Sequence, residues 1–182
     1  LEYSRCRAEV EKFFWQVLCD NYLEIAKDRF YNAEVRGKEA RESGQEVLYS
    51  SLLNVIKMIA PIMPFISEEV YQHCFKAKEN EKSIHLTSWP AYDEKLIDEK
   101  IEEVGDKLVE IISRVRKAKS ENKVSLKEPV KEIVLDLDEE TVKGFLDDFK
   151  SVTKAEKVSF GKEIKVTLWQ QSLKVCESLQ LE

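Results

Sequence analysis

Glycine and proline are scarce in this chain, five and four in 182 residues. A turn-rich β-sandwich or barrel needs many more of both, so the shortage points to helices. No apolar run is long enough to cross a bilayer, and no signal peptide opens the sequence. The four cysteines, Cys6, Cys19, Cys74 and Cys176, lie far apart and form no Cys-x-x-Cys pair. Free thiols, buried in apolar helical patterns and kept reduced, are the expectation. There are only two histidines. His73, Cys74 and His85 lack a fourth ligand at ligand spacing, so no metal site is expected. The chain also has no glycine-rich phosphate loop and no Ser/His/Asp or Cys/His set at a recognisable spacing. Nothing marks catalytic residues, and no cofactor is expected within these residues. The chain opens on Leu1 without a methionine, inside an apparent helix, and is expected to be a piece of a longer protein.

What is present is helical periodicity. In residues 10–31, Val10, Phe13, Phe14, Val17, Leu18, Tyr22 and Ile25 recur at helical spacing, beside a second stripe of Trp15, Cys19, Leu23, Ala26 and Phe30. A helix apolar over so much of its girth is expected to be the central post of a bundle. A polar linker with Gly37 follows. A second helix over about 39–60 carries Val47, Leu48, Leu52, Val55, Ile56 and Ile59, with Gly44 weakening its first turns. Pro61 ends it, and Pro64 opens a third helix whose inner face is Ile66, Val70 and Cys74. Residues 76–83 read as a solvated loop and 83–90 as an extended piece, with Trp89 and Pro90 in a structural role. A fourth helix over about 93–120 carries Ile97, Ile101, Val104, Leu108, Ile111, Val115 and Ala118, in steps of four and three that suit an antiparallel bundle.

The pattern changes after Lys123. Ile133, Leu135 and Leu137 alternate as in a strand, and Asp138 can cap a short helix with Val142, Phe145, Leu146 and Phe149. Val158 and Phe160 then form a second strand, Gly161 and Lys162 a tight turn, and Ile164, Val166 and Leu168 a third, paired with the second as a hairpin. Residues 170–180 read as a last helix or a frayed end. The fold class is therefore mainly α: an antiparallel four-helix bundle over 1–123, then a small α+β unit (strand, helix, hairpin) and tail over 124–182. Phe13, Phe14, Val17, Leu52, Ile56, Leu108 and Ile111 are the expected bundle core.

Charge is unevenly distributed. Lysine and arginine total 29 against 35 acids, a net −6, so binding RNA would need a local basic face on an acidic body. The fourth helix supplies one. Its first half is acidic, from Asp93 to Glu110, and its exit is basic: Arg114, Arg116, Lys117, Lys119, Lys123 and Lys127. Matching the helix dipole explains the signs, but that effect fades within a turn and the basic run continues past the helix end. Such a cluster suits a phosphate backbone, and a solvated face accounts for it equally well. Arg29, Arg36 and Lys38 form a second cluster where the first helix ends. Phe30 and Tyr31 beside them could stack on an unpaired base, though aromatics at helical spacing more often pack in a core.

Four stretches together resemble one family. FFW at 13–15 with CDNYLE at 19–24 and KDRFY at 27–31, LNVIKMIAPIMPFISEEVYQ at 53–72, SIHLTSWP at 83–90, and RKAKSENKV at 116–124 before a strand led by Pro129 are similar, in this order, to the anticodon-binding domain of class I aminoacyl-tRNA synthetases. The second stretch matches an Ala-Pro-x-x-Pro segment through Ala60, Pro61, Pro64, Phe65, Ile66, Ser67, Glu68 and Glu69. Within the family the opening residues and VRGKEA at 35–40 resemble the valine members. Lys119 stands where the family usually has an arginine, which puts a bidentate contact there in doubt. The resemblance implies anticodon-arm recognition by the C-terminal helical domain of a ligase that activates valine with ATP, its cofactor elsewhere in the parent, and charges the valine tRNA. It implies valine tRNA and the remainder of the synthetase as partners, a cytoplasmic, monomeric protein, and RNA contacts from Arg29, Arg36, Lys38, Arg114, Arg116, Lys117, Lys119 and Lys123. The isoleucine or leucine member, or a helical scaffold without an RNA role, are the alternatives.

Overall fold

The computed structural model describes residues 2–169. They divide into two compact units, one ending at Glu94 and the other starting at Lys95.

The first unit begins with one continuous helix in three segments: α1 (Tyr3–Lys12), a π-helical segment (Phe13–Tyr22) and α2 (Leu23–Tyr31). After the single turn α3 (Ala33–Arg36), Gly37 takes φ 87° and ψ 156°, a conformation only glycine adopts without strain. It sets the chain into α4 (Lys38–Ile59). Pro61 and Pro64 act as expected, and α5 (Pro64–Cys74) starts on the second of them. The charged stretch after it makes one more helical turn, α6 (Lys76–Glu79), where a loop was expected. Residues Ile84–Leu86 form a 3₁₀ turn rather than an extended piece, capped by the Ser83 hydroxyl.

The first helix is not the buried post that its composition suggests. Trp15 is 60% exposed and Val17 50%, and Phe13 is exposed too, while Val10, Leu18 and Ala26 are buried. The π segment explains this. On an α-helix, residues four apart drift around the axis by about 40° per step. The wider π turn reverses that drift, so Val10, Phe14, Leu18, Tyr22 and Ala26 stay on one face. Phe13 and Val17 rotate out of the stripe. This face meets α4 at Gly44, whose carbonyl accepts a hydrogen bond from the Tyr22 hydroxyl at 2.8 Å. A Cβ on Gly44 would stand 2.9 Å from Cε1 of Phe30. Gly44 is thus the contact point of the two helices.

The core of this unit is Leu53, Ala60, Tyr71, Phe75 and Ile84, flanked by Tyr49, Leu52 and Ile56. The inner face of α5 is Ser67 and Tyr71, one position round from the expected Ile66, Val70 and Cys74. Small Ser67 admits close approach, and the Tyr71 hydroxyl reaches the carbonyl of Glu81 at 3.2 Å. Cys6 and Cys74 are exposed rather than buried, and Cys19 is half-buried.

In the second unit, a 3₁₀ turn at Glu94–Leu96 precedes α7 (Glu99–Glu121). The helix starts later than expected because Asp98 is its cap, accepting from the amides of Lys100 and Ile101 at 3.1 and 3.2 Å. Leu108, Ile111, Ile112 and Val115 are buried, and α7 packs against α8 (Glu139–Val142) and α9 (Leu146–Thr153). By its contacts, α7 groups with the α+β elements. Asp138 caps α8, as expected, through the amide of Thr141.

The sheet has the order β2-β1-β3, with β1 (Val130–Leu135) between β2 (Ala155–Phe160) and β3 (Lys165–Leu168). β1 runs parallel to β2 and antiparallel to β3. The expected hairpin of the last two strands is therefore incorrect, for β3 crosses to the far side of β1. Gly161 serves this crossing. Its amide bonds the carbonyl of Leu135 at 2.9 Å, and a Cβ there would lie 2.9 Å from Cγ1 of Val134. A bulge between Val130 and Glu132 shifts the alternation of β1, so Val130, Ile133 and Leu135 are all fully buried. The last helix expected at 170–180, and Cys176 with it, lies outside the described residues.

Candidate nucleic-acid interface

Each unit carries one of the basic clusters. In the first, Arg29 and Arg36 lie in the last turns of α2 and α3, where the carbonyl ends favour cations. Arg29 is half-buried, its Cδ close to Gly44. The Arg36 side chain is 13% exposed, and its Nε lies 3.5 Å from Asp28 Oδ2. Lys38 is exposed, paired at 3.3 Å with Glu42. The two aromatics separate cleanly. Phe30 packs on α4 at Gly44, whereas Tyr31 is 83% exposed, with Val35 exposed as well. Tyr31 has a face open for a base, and Phe30 does not.

In the second unit the cluster lies at the exit of α7. Arg114 is half-buried and bonded to Glu110 one turn back. Arg116 is half-buried. Lys117 is exposed, 3.9 Å from Glu121, a pair loose enough to give way to phosphate. Lys123 and Lys127 are exposed.

Lys119 differs from its neighbours. It is 1% exposed, and its ammonium donates to the carbonyls of Leu126, Glu128 and Thr153 at 3.1, 2.7 and 3.1 Å. Burial pushes its pKa down, with Lys154 adding to the effect and Glu128 opposing it. A group so enclosed cannot reach a phosphate, so Lys119 leaves the set of RNA contacts. The signal was in the spacing, since Ile111, Val115 and Lys119 form an i, i+4 ladder on the buried face of α7.

Two features escaped the sequence reading. Glu68 ties α5 to the 3₁₀ turn, accepting from Gln72, from the Ser83 hydroxyl at 2.8 Å and from the Ile84 amide at 3.0 Å. These bonds hold its carboxyl below the usual glutamate range, Gln72 contributing most and Ser83 and Ile84 adding to it, against an opposing effect of burial that is second only to that of Gln72. The second is a pocket of about 130 Å³ between the end of α4 and this turn, lined by Lys57, Pro61, His85, Thr87 and Trp89. Trp89, for which a structural role is expected, is more than half exposed at its rim. Among the described residues, no three His, Cys, Asp or Glu side chains gather as a metal site, and no helix is long and apolar enough to cross a membrane.

A family model described as the anticodon-binding domain of tRNA ligase matches residues 1–135. Among curated proteins, the chain is similar to the valine–tRNA ligase of Methanopyrus kandleri, 37% identical over 82% of this chain and 16% of that protein. It is 39% identical to that of Rickettsia conorii over 87% of this chain and 19% of the relative. Against that of Wolbachia sp. subsp. Brugia malayi it is 31% identical over 99% of this chain and 21% of the relative. The chain spans about a fifth of the length of these relatives. With a match running from the first helix into β1, the chain belongs to the family of anticodon-binding domains of tRNA ligases.

Proposed function

We propose that this chain recognises the anticodon arm of valine tRNA as the C-terminal helical part of a valine–tRNA ligase. The observation that carries the reading is the exposed basic exit of α7, Lys117 and Lys123 with Arg114 and Arg116 beside them, on a protein of net charge −6. The named relatives are all valine ligases, which favours valine over isoleucine or leucine. In this reading the parent activates valine with ATP and charges the tRNA in the cytoplasm as a monomer, its active and editing sites lie in the remainder of the synthetase, and this chain supplies no catalytic group. The antiparallel four-helix bundle over 1–123 belongs to the proposal.

Recognition would proceed by positioning. Arg114, Arg116, Lys117 and Lys123 contact backbone phosphates, with Lys38, Arg29 and Arg36 forming the second basic cluster. The open ring of Tyr31 stacks on an unpaired base. Each phosphate contact makes affinity fall by about 0.7 to 0.9 log units per decade of salt.

The test is fluorescence anisotropy of this chain with a valine anticodon stem-loop and with the same loop carrying an isoleucine anticodon. Tighter binding to the valine loop, weakened by Lys117→Glu with a shallower salt slope, is expected. No binding to either loop at low salt would overturn the reading and favour a scaffold.

A further inference from the structure

The exit of α7 is held from two directions by the same residue. Along the backbone, the amide of Val124 bonds the Lys119 carbonyl at 2.8 Å and the amide of Lys123 bonds that of Ser120 at 3.0 Å. This is the paired-bond helix stop, with Lys123 in the left-handed conformation at φ 55°. In the other direction, the Lys119 side chain leaves the helix and ends among three main-chain oxygens. Those of Leu126 and Glu128 belong to the segment that follows the stop, and that of Thr153 to the last residue of α9.

Three donors meet three acceptors, so the ammonium is satisfied without leaving the interior. The Thr153 carbonyl ends a helix, where the backbone dipoles favour a cation. Within the 122–129 segment, the Asn122 side-chain amide donates to the Ala118 carbonyl at 2.8 Å, and the amides of Lys127 and Glu128 bond the Ser125 hydroxyl and carbonyl at 3.3 and 3.0 Å. Leu126 and Lys127 are exposed, and β1 begins only at Val130, whose amide bonds the carbonyl of Lys154 beside the cage. The ammonium thus ties this basic segment to the packed end of α9, beside the Val130–Lys154 bond.

We propose that Lys119 is the positioning residue of the α7 exit, an internal cation that sets where Lys123 and Lys127 stand toward an RNA backbone without touching RNA itself. This rests on the reading that the exit binds tRNA.

Two measurements on this chain test it. In the unaltered protein, amine acylation read by mass spectrometry should leave Lys119 unreacted with or without the valine stem-loop, while Lys117, Lys123 and Lys127 react when free and are shielded by the RNA. A Lys119 that reacts in the free chain and is shielded by RNA is a direct contact, and the proposal fails. In Lys119→Met, backbone hydrogen exchange across 122–130 should speed up at least tenfold while the β1–β2 ladder stays protected. The salt slope for the RNA should then fall by more than the roughly 0.7 to 0.9 of one lost contact. Adding Lys123→Ala and Lys127→Ala should weaken binding in the unaltered chain and change little in Lys119→Met, since groups already displaced have no more to lose. Additive losses, or unchanged exchange, overturn the positioning role. If Lys119→Met does not fold, the acylation pattern decides. Failure of the unaltered chain to bind the RNA would instead overturn the tRNA reading, while the exchange data still judge whether Lys119 orders the segment.

Discussion

The Glu68 carboxylate accepts a hydrogen bond from the Ser83 hydroxyl at 2.8 Å, across 15 positions of sequence. The same carboxylate takes the Ile84 amide, and Ser83 in turn caps the 3₁₀ turn. Two of the stretches that carry the family resemblance, around Pro64 and around Ser83, are thus one structural device.

That device is sensitive to acid. The folded Glu68 carboxyl is held below its ordinary value, so its contribution is complete above the unfolded value of about 4.3 and is lost as pH falls through the folded one. Glu68→Ala should therefore lower the melting temperature at pH 7, and the deficit should shrink below about pH 4. Thermal melts of both proteins at several pH values check this. A deficit independent of pH would mean that packing, not the charged hydrogen bonds, carries the effect.

The π segment makes a prediction about two adjacent residues. Leu18 is 2% exposed and Val17 50%. Leu18→Ala should cost about 2–5 kcal/mol in denaturant unfolding, while Val17→Ala stays within about 0.5 kcal/mol. An α-helical stripe through Phe13, Val17 and Leu18 would make both costly.

Gly44 sits where a side chain would meet Phe30 at 2.9 Å. Alanine favours a helix over glycine by about 1 kcal/mol, but overpacking costs about 1–3 kcal/mol. Gly44→Ala should thus destabilise the chain by about 1 kcal/mol, and should stabilise a Phe30→Ala background by a similar amount. A double-mutant cycle measures the reversal of sign.

Lys123 holds a left-handed backbone that glycine would adopt more easily. Lys123→Gly should leave folding stability unchanged or raise it by up to about 1 kcal/mol, once the flexibility of glycine in the unfolded chain is counted. In the proposed function the same change weakens RNA binding and lowers the salt slope by about 0.7 to 0.9. Denaturation and anisotropy on one variant would separate the two effects, and an unchanged slope would remove Lys123 from the interface.

Much of this was legible in the chain. Apolar spacing and proline signals located α4 and α5 to within a residue or two, and Asp138 was recognisable as a cap. Other features depended on what their neighbours do. Lys119 looks like every other lysine in a basic run, and only its place in the ladder from Ile111 and Val115 hinted at burial. Phe30 and Tyr31 are adjacent aromatics, but one meets α4 and the other meets solvent. The hairpin was expected because Gly161 and Lys162 look like a turn. Instead β1 pairs along both of its edges, parallel to β2 on one side and antiparallel to β3 on the other.

Hydrophobic period, helix-breaking residues and charge order are local properties, and they were enough to establish a mainly helical chain, a change of architecture after residue 123 and a basic stretch on an acidic body. Which face of the first helix is buried, which unit α7 joins, the strand order and the internal role of Lys119 depend on contacts between residues far apart in sequence. Those were decided only when the π turn re-phased its stripe, α9 covered α7, and three carbonyls, one of them 34 positions away, converged on one ammonium.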